Sequence, residues 1–482
     1  MPQPPGTLTA FQNPIWVGGK PWETNRNYHA HNLHTASYQG SQHLAYSKLS
    51  RSADGLNNTN ANIIMNSHYE MVAELLKSHD LTELDPHEFE LIDNGTKVIQ
   101  LGRIRRPSDW PYGKDGVIGE SVLQLVDIAT GDVEFEWRSL DQVPLDESCH
   151  TYPDIDYFHL NSAAKDSEGD YIINGYHVCT IYKINGTDGS IIWRLGGKKS
   201  DFTMLDGYEL MRMHHIRIRP LDSIKLPTAL RAQVTDTTHL ALSIFDNAVI
   251  RPSAGSSASI VVLLDLEART GQVVERYVQP DGMFGALFGS VQFLPNGDRF
   301  IGWGGQRSIS QYTQNNELVF HAELADAATP TFSYRAFIGS WVGLPTTNPD
   351  VFSYSWTCTW QTTMYASWNG ATEVRSWRFF GGVSASGPFK LAVAVNKVGF
   401  ETRAVASFFA SHAYVEGVGW DGALLGRSEI VATRVPRPDL AAYCNEFRCD
   451  QKINWTEADW FQHCRSETLN ILGIVAVQAV LE

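Results

Sequence analysis

Four histidines stand at matching places in this chain. His31, His87, His159 and His214 each open a short run of alternating apolar and polar residues, and in the first three a glycine follows eight to ten residues later. One imidazole in such a run ordinarily does no more than hydrogen-bond to backbone. Four in the same phase of a repeated unit face one another if the runs are the first strands of successive sheets around an axis. Converging imidazoles that titrate near neutrality can give and take protons. A metal centre is the competing reading. It ranks lower because few carboxylates share the phase and no two of these four stand at i, i+2 or i, i+4; we expect no metal and no cofactor.

The elements that must position these side chains are strands. Helical periodicity is scarce, while short alternating runs bounded by Gly, Asn and Asp recur along the chain. One turn-and-strand pattern appears three times, as Asp127-Ile-Ala-Thr-Gly-Asp-Val-Glu-Phe-Glu-Trp137, Ile184-Asn-Gly-Thr-Asp-Gly-Ser-Ile-Ile-Trp193 and Glu267-Ala-Arg-Thr-Gly-Gln-Val-Val-Glu-Arg-Tyr277. A strand–glycine turn–strand pattern precedes it in six units: 31–44, 87–99, 159–173, 214–243, 289–301 and 357–367. Repeats of this size are the signature of propeller blades. The expected fold is therefore all-β, a six-bladed β-propeller over residues 1–433 with 390–428 closing it, and a cysteine-containing C-terminal extension over 434–482 packed on it.

The 482 residues are 43% hydrophobic and 19% charged, enough apolar side chain for a large core. A net charge of −15 would be repelled by phosphate, so neither nucleic acid nor an anionic membrane is an expected partner. The oligomeric state is open. Of six cysteines, Cys444, Cys449 and Cys464 crowd the C-terminal end without zinc-type spacing, which predicts a disulfide there. N-glycosylation patterns occur at Asn57, Asn94, Asn185 and Asn454, and Asn94 and Asn185 fall in predicted hairpin turns. The first residues carry no apolar segment of the signal-peptide type, so a secreted protein would be in its mature form. The apolar stretch 469–481 is too short to cross a bilayer.

Several blocks resemble the fungal branch of the arylsulfotransferase-like propeller family. They are His87-Glu-Phe89, Phe135-Glu-Trp-Arg-Ser-Leu140, Asp156-Tyr-Phe-His-Leu-Asn-Ser162, Ile192-Trp-Arg-Leu-Gly-Gly-Lys-Lys-Ser-Asp-Phe202, Ile244-Phe-Asp-Asn247, Gly289-Ser-Val-Gln-Phe-Leu-Pro-Asn-Gly297, Gly302-Trp-Gly304 and Ser367-Trp-Asn-Gly-Ala-Thr-Glu-Val374. The resemblance runs in order from about residue 27 to 427. It implies a six-bladed propeller, passage through the secretory pathway and a site at the channel mouth. In bacterial enzymes of the superfamily a histidine nucleophile carries sulfate between phenols without PAPS. His159 and His214 look like the assisting histidines and His177 like a second-strand histidine of the fungal branch.

This chain departs from that pattern at the nucleophile. The fifth unit opens with Gly289-Ser290-Val291-Gln292, with no histidine at the expected phase, and a covalent carrier needs that atom. Met213-His214-His215 stands where Gln-His-Asp is usual, and Gln306-Arg307 where an acidic residue is frequent. The expected catalytic set is His87, His159, His177, His214, His215 and Arg307. Trp303, Phe245, Tyr157 and Phe158 are expected as aromatic walls, with Asp246, Gln292, Arg217 and His31 as further substrate contacts. His215 alternates to the face opposite His214. The reading ranked first is an enzyme of secondary metabolism resembling hetero-Diels–Alderases, which join a tropolone or aromatic quinone methide to a terpene alkene. PAPS-independent aryl sulfotransfer and a non-catalytic binding propeller are the alternatives.

Overall fold

The computed structural model describes residues 28–50, 60–78, 80–109, 116–149, 156–248, 256–324, 333–436 and 461–462. The chain divides into two compact units, one containing residues 28–66 and 70–340 and the other 67–69 and 341 onward. The division falls near 340, and the extension expected over 434–482 lies almost wholly outside the described residues.

The first unit is five sheets, each with four antiparallel strands in chain order, the fourth sheet carrying one more strand in parallel. The first comprises β1 (Tyr28–Tyr38), β2 (Ser41–Ser50), β3 (Ala61–Met65) and β4 (Met71–Leu75), and the second β5 (Glu83–Ile92), β6 (Lys97–Pro107), β7 (Val117–Asp127) and β8 (Val133–Arg138). The third comprises β9 (Leu160–Lys165), β10 (Tyr171–Gly175), β11 (Thr180–Ile184) and β12 (Ile191–Gly196). In the fourth, β13 (Thr203–Met204) is added to the outside of β14 (Met213–Arg219), β15 (His239–Asp246), β16 (Ala258–Asp265) and β17 (Thr270–Val278). The fifth holds β18 (Ser290–Phe293), β19 (Arg299–Gly302), β20 (Ser308–Tyr312) and β21 (Leu318–Glu323). First strands are neighbours in space: β1 beside β5, β5 beside β9, β9 beside β14 and β14 beside β18. That is the arrangement of propeller blades.

The repeated sequence pattern has a structural cause at each end. Asp127, Asn185 and Asp265 each accept two backbone N–H groups from the turn that follows, and the residue four positions on takes a left-handed conformation: Gly131, Gly189 and Arg269. In the third copy the turn thus ends at Arg269, and Gly271 lies inside β17. A Cβ at Gly271 would meet the Met204 sulfur at 2.8 Å, so this glycine admits β13 to the sheet rather than making the turn. At the other end of the pattern, Trp137, Trp193 and Tyr277 are buried and fill the space toward the next sheet. Trp137 joins a core with Phe158 and Tyr182, Trp193 one with Leu242 and Ile244, and Tyr277 one with Val291 and Tyr312.

The second unit does not continue this order. Its three-stranded sheet pairs β22 (Asp350–Tyr354) with β23 (Thr362–Ser367) and β23 with the later β26 (Glu401–Ala406). Its other sheet places β24 (Ser376–Gly382) between β25 (Phe389–Asn396) and β27 (His412–Val418), with β28 (Leu424–Arg427) outside. Its core is Trp377, Phe379, Trp368, Met364 and alanines. Among the described residues, five sheets follow the blade order, and the expected sixth unit at 357–367 contributes instead to a sheet completed out of sequence.

A disulfide that sequence reading did not anticipate joins Cys149 to Cys179. The one expected among Cys444, Cys449 and Cys464 lies outside the described residues. No helix among the described residues is long and apolar enough to cross a membrane.

Candidate active site

Each first strand that carries a histidine is irregular beside it. The register shifts between His31 and His34 in β1, between Asp85 and Phe89 in β5, and between His214 and Arg217 in β14, and opposite Leu160 at the start of β9. Asn32, His159 and His215 have positive φ. Bulges of this kind re-aim side chains at the end of a sheet. Asn161 and Asn174 both donate to the Met213 carbonyl, at 2.9 and 2.7 Å, and fix the start of β14 against β9.

The result is a circuit of rings. His87 and His159 meet edge to face at 4.8 Å between centroids, and His159 lies 5.3 Å from Tyr176. Tyr176 lies 5.0 Å from His214, which lies 6.5 Å from Phe288. Phe288 then packs on Tyr334 at 5.4 Å, and Tyr334 closes the circuit on His87 at 5.4 Å. His177 leans on His159 at 4.9 Å and His31 on Tyr334 at 5.2 Å. In the fifth sheet the place of an in-phase histidine is taken by Phe288. Gly289 follows it because a Cβ there would strike the Phe245 ring at 2.3 Å.

Hydrogen bonds assign the tautomers. The Asn247 amide nitrogen donates to the carbonyls of Gly285 and Phe288, at 2.8 and 3.0 Å. Its Oδ1 must therefore accept from His214 Nδ1, 2.6 Å away, which leaves the His214 Nε2 lone pair unprotonated. Burial, with the charges of His159 and His87 added, lowers the His214 pKa well below the usual range, so this imidazole is neutral. His159 Nδ1 lies 2.7 Å from Asp156 Oδ2, and His87 Nδ1 contacts Asp85 Oδ1. His177 Nδ1 donates to the Asp156 carbonyl.

One guanidinium anchors both carboxylates: Arg103 reaches Asp85 at 3.0 Å and Asp156 at 2.7 Å. Burial opposes ionisation of Asp85, but His87, Arg103 and His159 together hold its pKa down at about 2. Burial opposes ionisation of Asp156 too, but Arg103 and then His159 hold its pKa well below the usual carboxylate range. A carboxylate behind an imidazole orients it and stabilises the imidazolium formed when Nε2 takes a proton. Asp156, His159 and His177 present atoms within 4.8 Å of one another. Within this set Asp156 bonds His159 through its Oδ2 and His177 through its carbonyl, and Arg103 lies between Asp156 and Asp85.

Beyond the rings lies a sealing layer. Arg335, with its side chain fully buried, reaches Glu88 at 2.7 Å, Asn32 at 3.0 Å and the Asn161 carbonyl at 2.9 Å. On the far side of this layer a cavity of about 260 Å³ is lined by His34, Glu90, His215, Arg217, Arg219, Gln292 and Phe337, with Glu88 at its floor.

The structure therefore distributes the expected residues. It brings together His87, His159, His177 and His214, with His31 next to them. His215, Arg217 and Gln292 line the separate cavity. Trp303, Phe245, Tyr157 and Phe158, expected as aromatic walls, are core residues at 1% exposure or less. Their rings fill the gaps between sheets. Asp246 is equally buried and accepts the Tyr208 hydroxyl at 2.6 Å. Arg307 closes the β19–β20 turn in a left-handed conformation, its N–H on Gly304 and its carbonyl accepting from Leu324. Asn94 is exposed in a turn, and Asn185 caps one with its Oδ1; Asn57 and Asn454 lie outside the described residues.

Sequence reasoning missed Asp85, Asp156, Arg103, Tyr176, Asn247, Phe288, Tyr334 and Arg335. The carboxylates were within reach, since Asp85 precedes His87 by two residues and Asp156 precedes His159 by three. Asn247 stands in a block already singled out. Tyr334 and Arg335 follow the last strand of the fifth sheet with no local signal.

The sheets and the ring of imidazoles define a propeller-like all-β protein with a histidine site at the ends of its inner strands. A model of the arylsulfotransferase (ASST) family matches residues 55–325, more than half of the chain, and the chain belongs to that family. No curated protein matches it. Among solved structures it is similar to a catalytically inactive virginiamycin B lyase from Staphylococcus aureus with quinupristin (10% identity over 64% of this chain and 89% of that one, TM-score 0.34). A hydrazine synthase of Kuenenia stuttgartiensis matches at 9% identity over 62% and 80%, TM-score 0.32. A Bacteroides caccae protein of unknown function matches at 11% over 61% and 82%, TM-score 0.34.

Proposed function

We propose that this protein is an enzyme of secondary metabolism that acts on an aromatic hydroxylated small molecule by imidazole acid–base chemistry. The reaction we assign is the cofactor-free joining of a tropolone or aromatic quinone methide to a terpene alkene, a hetero-Diels–Alder reaction. The observation that carries this reading is a contrast between neighbours. His214 is neutral, with Nδ1 bonded to Asn247 and a bare Nε2, while His87 and His159 each have Nδ1 against a carboxylate that orients the ring. A free imidazole lone pair beside carboxylate-backed imidazoles is an arrangement that can serve as a base and its partner acid.

In the assigned reaction, protonated His159 gives its Nε2 proton to the hydroxymethyl oxygen of a tropolone as the C–O bond breaks. His214 Nε2 takes the ring hydroxyl proton, water leaves, and a quinone methide remains. Solvent returns the two imidazoles to their starting states. The cycloaddition that follows forms its two bonds without proton transfer and depends on alignment of the partners. Two features count against a covalent sulfate carrier: Phe288 stands in the fifth histidine's place, and Arg103 and Arg335 are committed to carboxylates. Sulfotransfer is the second reading. It is favoured by family membership and by the free Nε2 of His214, which has the lone pair a nucleophile needs.

The test is product analysis by mass spectrometry in two incubations, one with candidate phenols and an aryl sulfate, the other with a hydroxymethyl tropolone and a humulene-type alkene. We expect an adduct of the second pair, slowed by about 10²- to 10⁴-fold in His159→Ala. A sulfated phenol, or an adduct formed at full rate by His159→Ala and His214→Ala, would overturn the assignment. We also place the protein in the secretory lumen or outside the cell, on the support of the Cys149–Cys179 disulfide. Enzymatic deglycosylation of the secreted protein should then shift peptides carrying Asn94 or Asn185; an intracellular, unglycosylated protein would count against this placement.

A further inference from the structure

The cavity behind the Arg335–Glu88 layer takes no part in the chemistry above. In a chain whose net charge is −15, its lining carries as many guanidinium groups as carboxylates. Arg217 and Arg219 line it with Glu88 and Glu90, and Arg335 stands behind Glu88. Glu88 is engaged by both Arg217 and Arg335, and Glu90 by Arg217 at 3.1 Å. Arg219 is the guanidinium left over. It donates to the Ser243 hydroxyl at 2.7 Å and the Val291 carbonyl at 3.3 Å and lies 4.2 Å from the Phe293 ring centroid. All three partners are neutral. The nearby carboxylate of Glu275 is bound to Arg299 at 2.9 Å, and among the described residues no carboxylate is within ion-pair reach of Arg219.

Glu90 and Glu275 act on Arg219 only from beyond contact, and a partly buried cation with no carboxylate against it is unfavourable unless something supplies one. Three other features of the cavity suit an anion with an aromatic body. His215 Nδ1 accepts the Val291 N–H at 3.2 Å, so its proton is on Nε2, where it can be donated. Gln292, its amide bonded at both ends to the Ile338 backbone, holds that wall in place, and the apolar sides of Phe89, Val291, Phe337 and Ile338 complete the lining. At about 260 Å³ the space is just below the range of roughly 300–1,000 Å³ typical of drug-sized ligands, which limits the occupant to about one ring.

We propose that this cavity is a second binding site, for a single-ring aromatic carboxylate whose oxyanion pairs with Arg219 and whose ring lies against Phe337. Arg335 and Glu88 wall it off from the histidines, so it binds independently of the reaction assigned to them.

Titration calorimetry of the full chain with benzoate tests this. We expect saturable one-to-one binding, absent with benzyl alcohol and weaker with inorganic sulfate. Arg219→Gln should weaken it by about ten- to a hundredfold, Arg219→Lys much less, and His159→Ala not at all, so that failure here and failure of the histidine reading can be told apart. Melting curves of ligand-free Arg219→Gln show whether the variant is folded. Absence of benzoate binding to the unaltered protein overturns the proposal. So does equal affinity in folded Arg219→Gln, or equal binding of benzyl alcohol.

Discussion

Asn247 holds His214 in one tautomer: its amide nitrogen is committed to two carbonyls, so its oxygen can only accept from Nδ1. The bond ties the base we assign to the loop that carries Phe288. It also makes Asn247 a positioning residue whose loss can be distinguished from a fold defect.

Asn247→Leu should lower turnover by about 10- to 100-fold through loss of the fixed tautomer, with a smaller change in KM. Removing a buried hydrogen-bonding amide also costs about 1–3 kcal/mol of stability. Asn247→Asp, which restores an acceptor, should recover part of the rate. Steady-state kinetics beside urea denaturation of the three proteins checks this; unchanged kcat in Asn247→Leu would show that the tautomer does not matter.

Stability should fall in two stages on acidification. Buried His214 and His215 have lowered pKa values, so below the unfolded value of about 6.5 the unfolded chain binds more protons and gains ground. Asp85, Asp156 and Glu88 are depressed, Asp85 from 3.8 to about 2. Their contribution is present above the unfolded carboxylate values and is lost as pH drops through the folded ones. Asp85 alone accounts for about 2 kcal/mol. Chemical denaturation from pH 8 to 3 should show both stages, with His215→Gln flattening the first. A profile level between pH 6.5 and 5 would contradict the burial of neutral imidazoles.

Reduction of the Cys149–Cys179 disulfide should weaken the protein and the site together. The bridge spans 30 residues, for which a loss of about 3–4 kcal/mol is expected. The Cys149 N–H also donates to the His177 carbonyl at 2.8 Å. Cys149→Ser with Cys179→Ser should therefore melt earlier and turn over more slowly, and added reductant should have no further effect on this variant beyond any it exerts at other cysteines.

Trp303→Ala should act on the core, not on selectivity. Trp303 is 1% exposed, and its indole N–H donates to Ser310 at 2.8 Å, so truncation costs about 3–5 kcal/mol. Phe288→Leu, at the ring circuit, is the variant expected to alter product distribution. Comparing product profiles and melting temperatures of the two separates wall from core; altered products from a stable Trp303→Ala protein would reverse the assignment.

Legible in the residues alone are the strands, the Asx-type turns at Asp127 and Asn185, the aromatic residues that end the repeated strands, and the common phase of His31, His87, His159 and His214. These are local properties: alternation and turn chemistry are read over ten residues, and repetition makes them audible above chance. Fold class and the set of first-strand histidines follow from them. Tertiary structure alone decided which aromatics became core. Trp303 and Phe245 carry the same chemistry wherever they sit, and only the neighbouring sheet decides that no ligand can reach them. It also decided which histidines share a chamber. His214 and His215 are adjacent in sequence yet fall on opposite sides of the Arg335–Glu88 layer, because a bulge and the alternation of β14 send them different ways. Arg335 comes from a segment beyond the last strand of the fifth sheet. No pattern in the chain announces that this segment runs beside β18, since its place is fixed by a buried ion pair with Glu88, a partner 247 residues away.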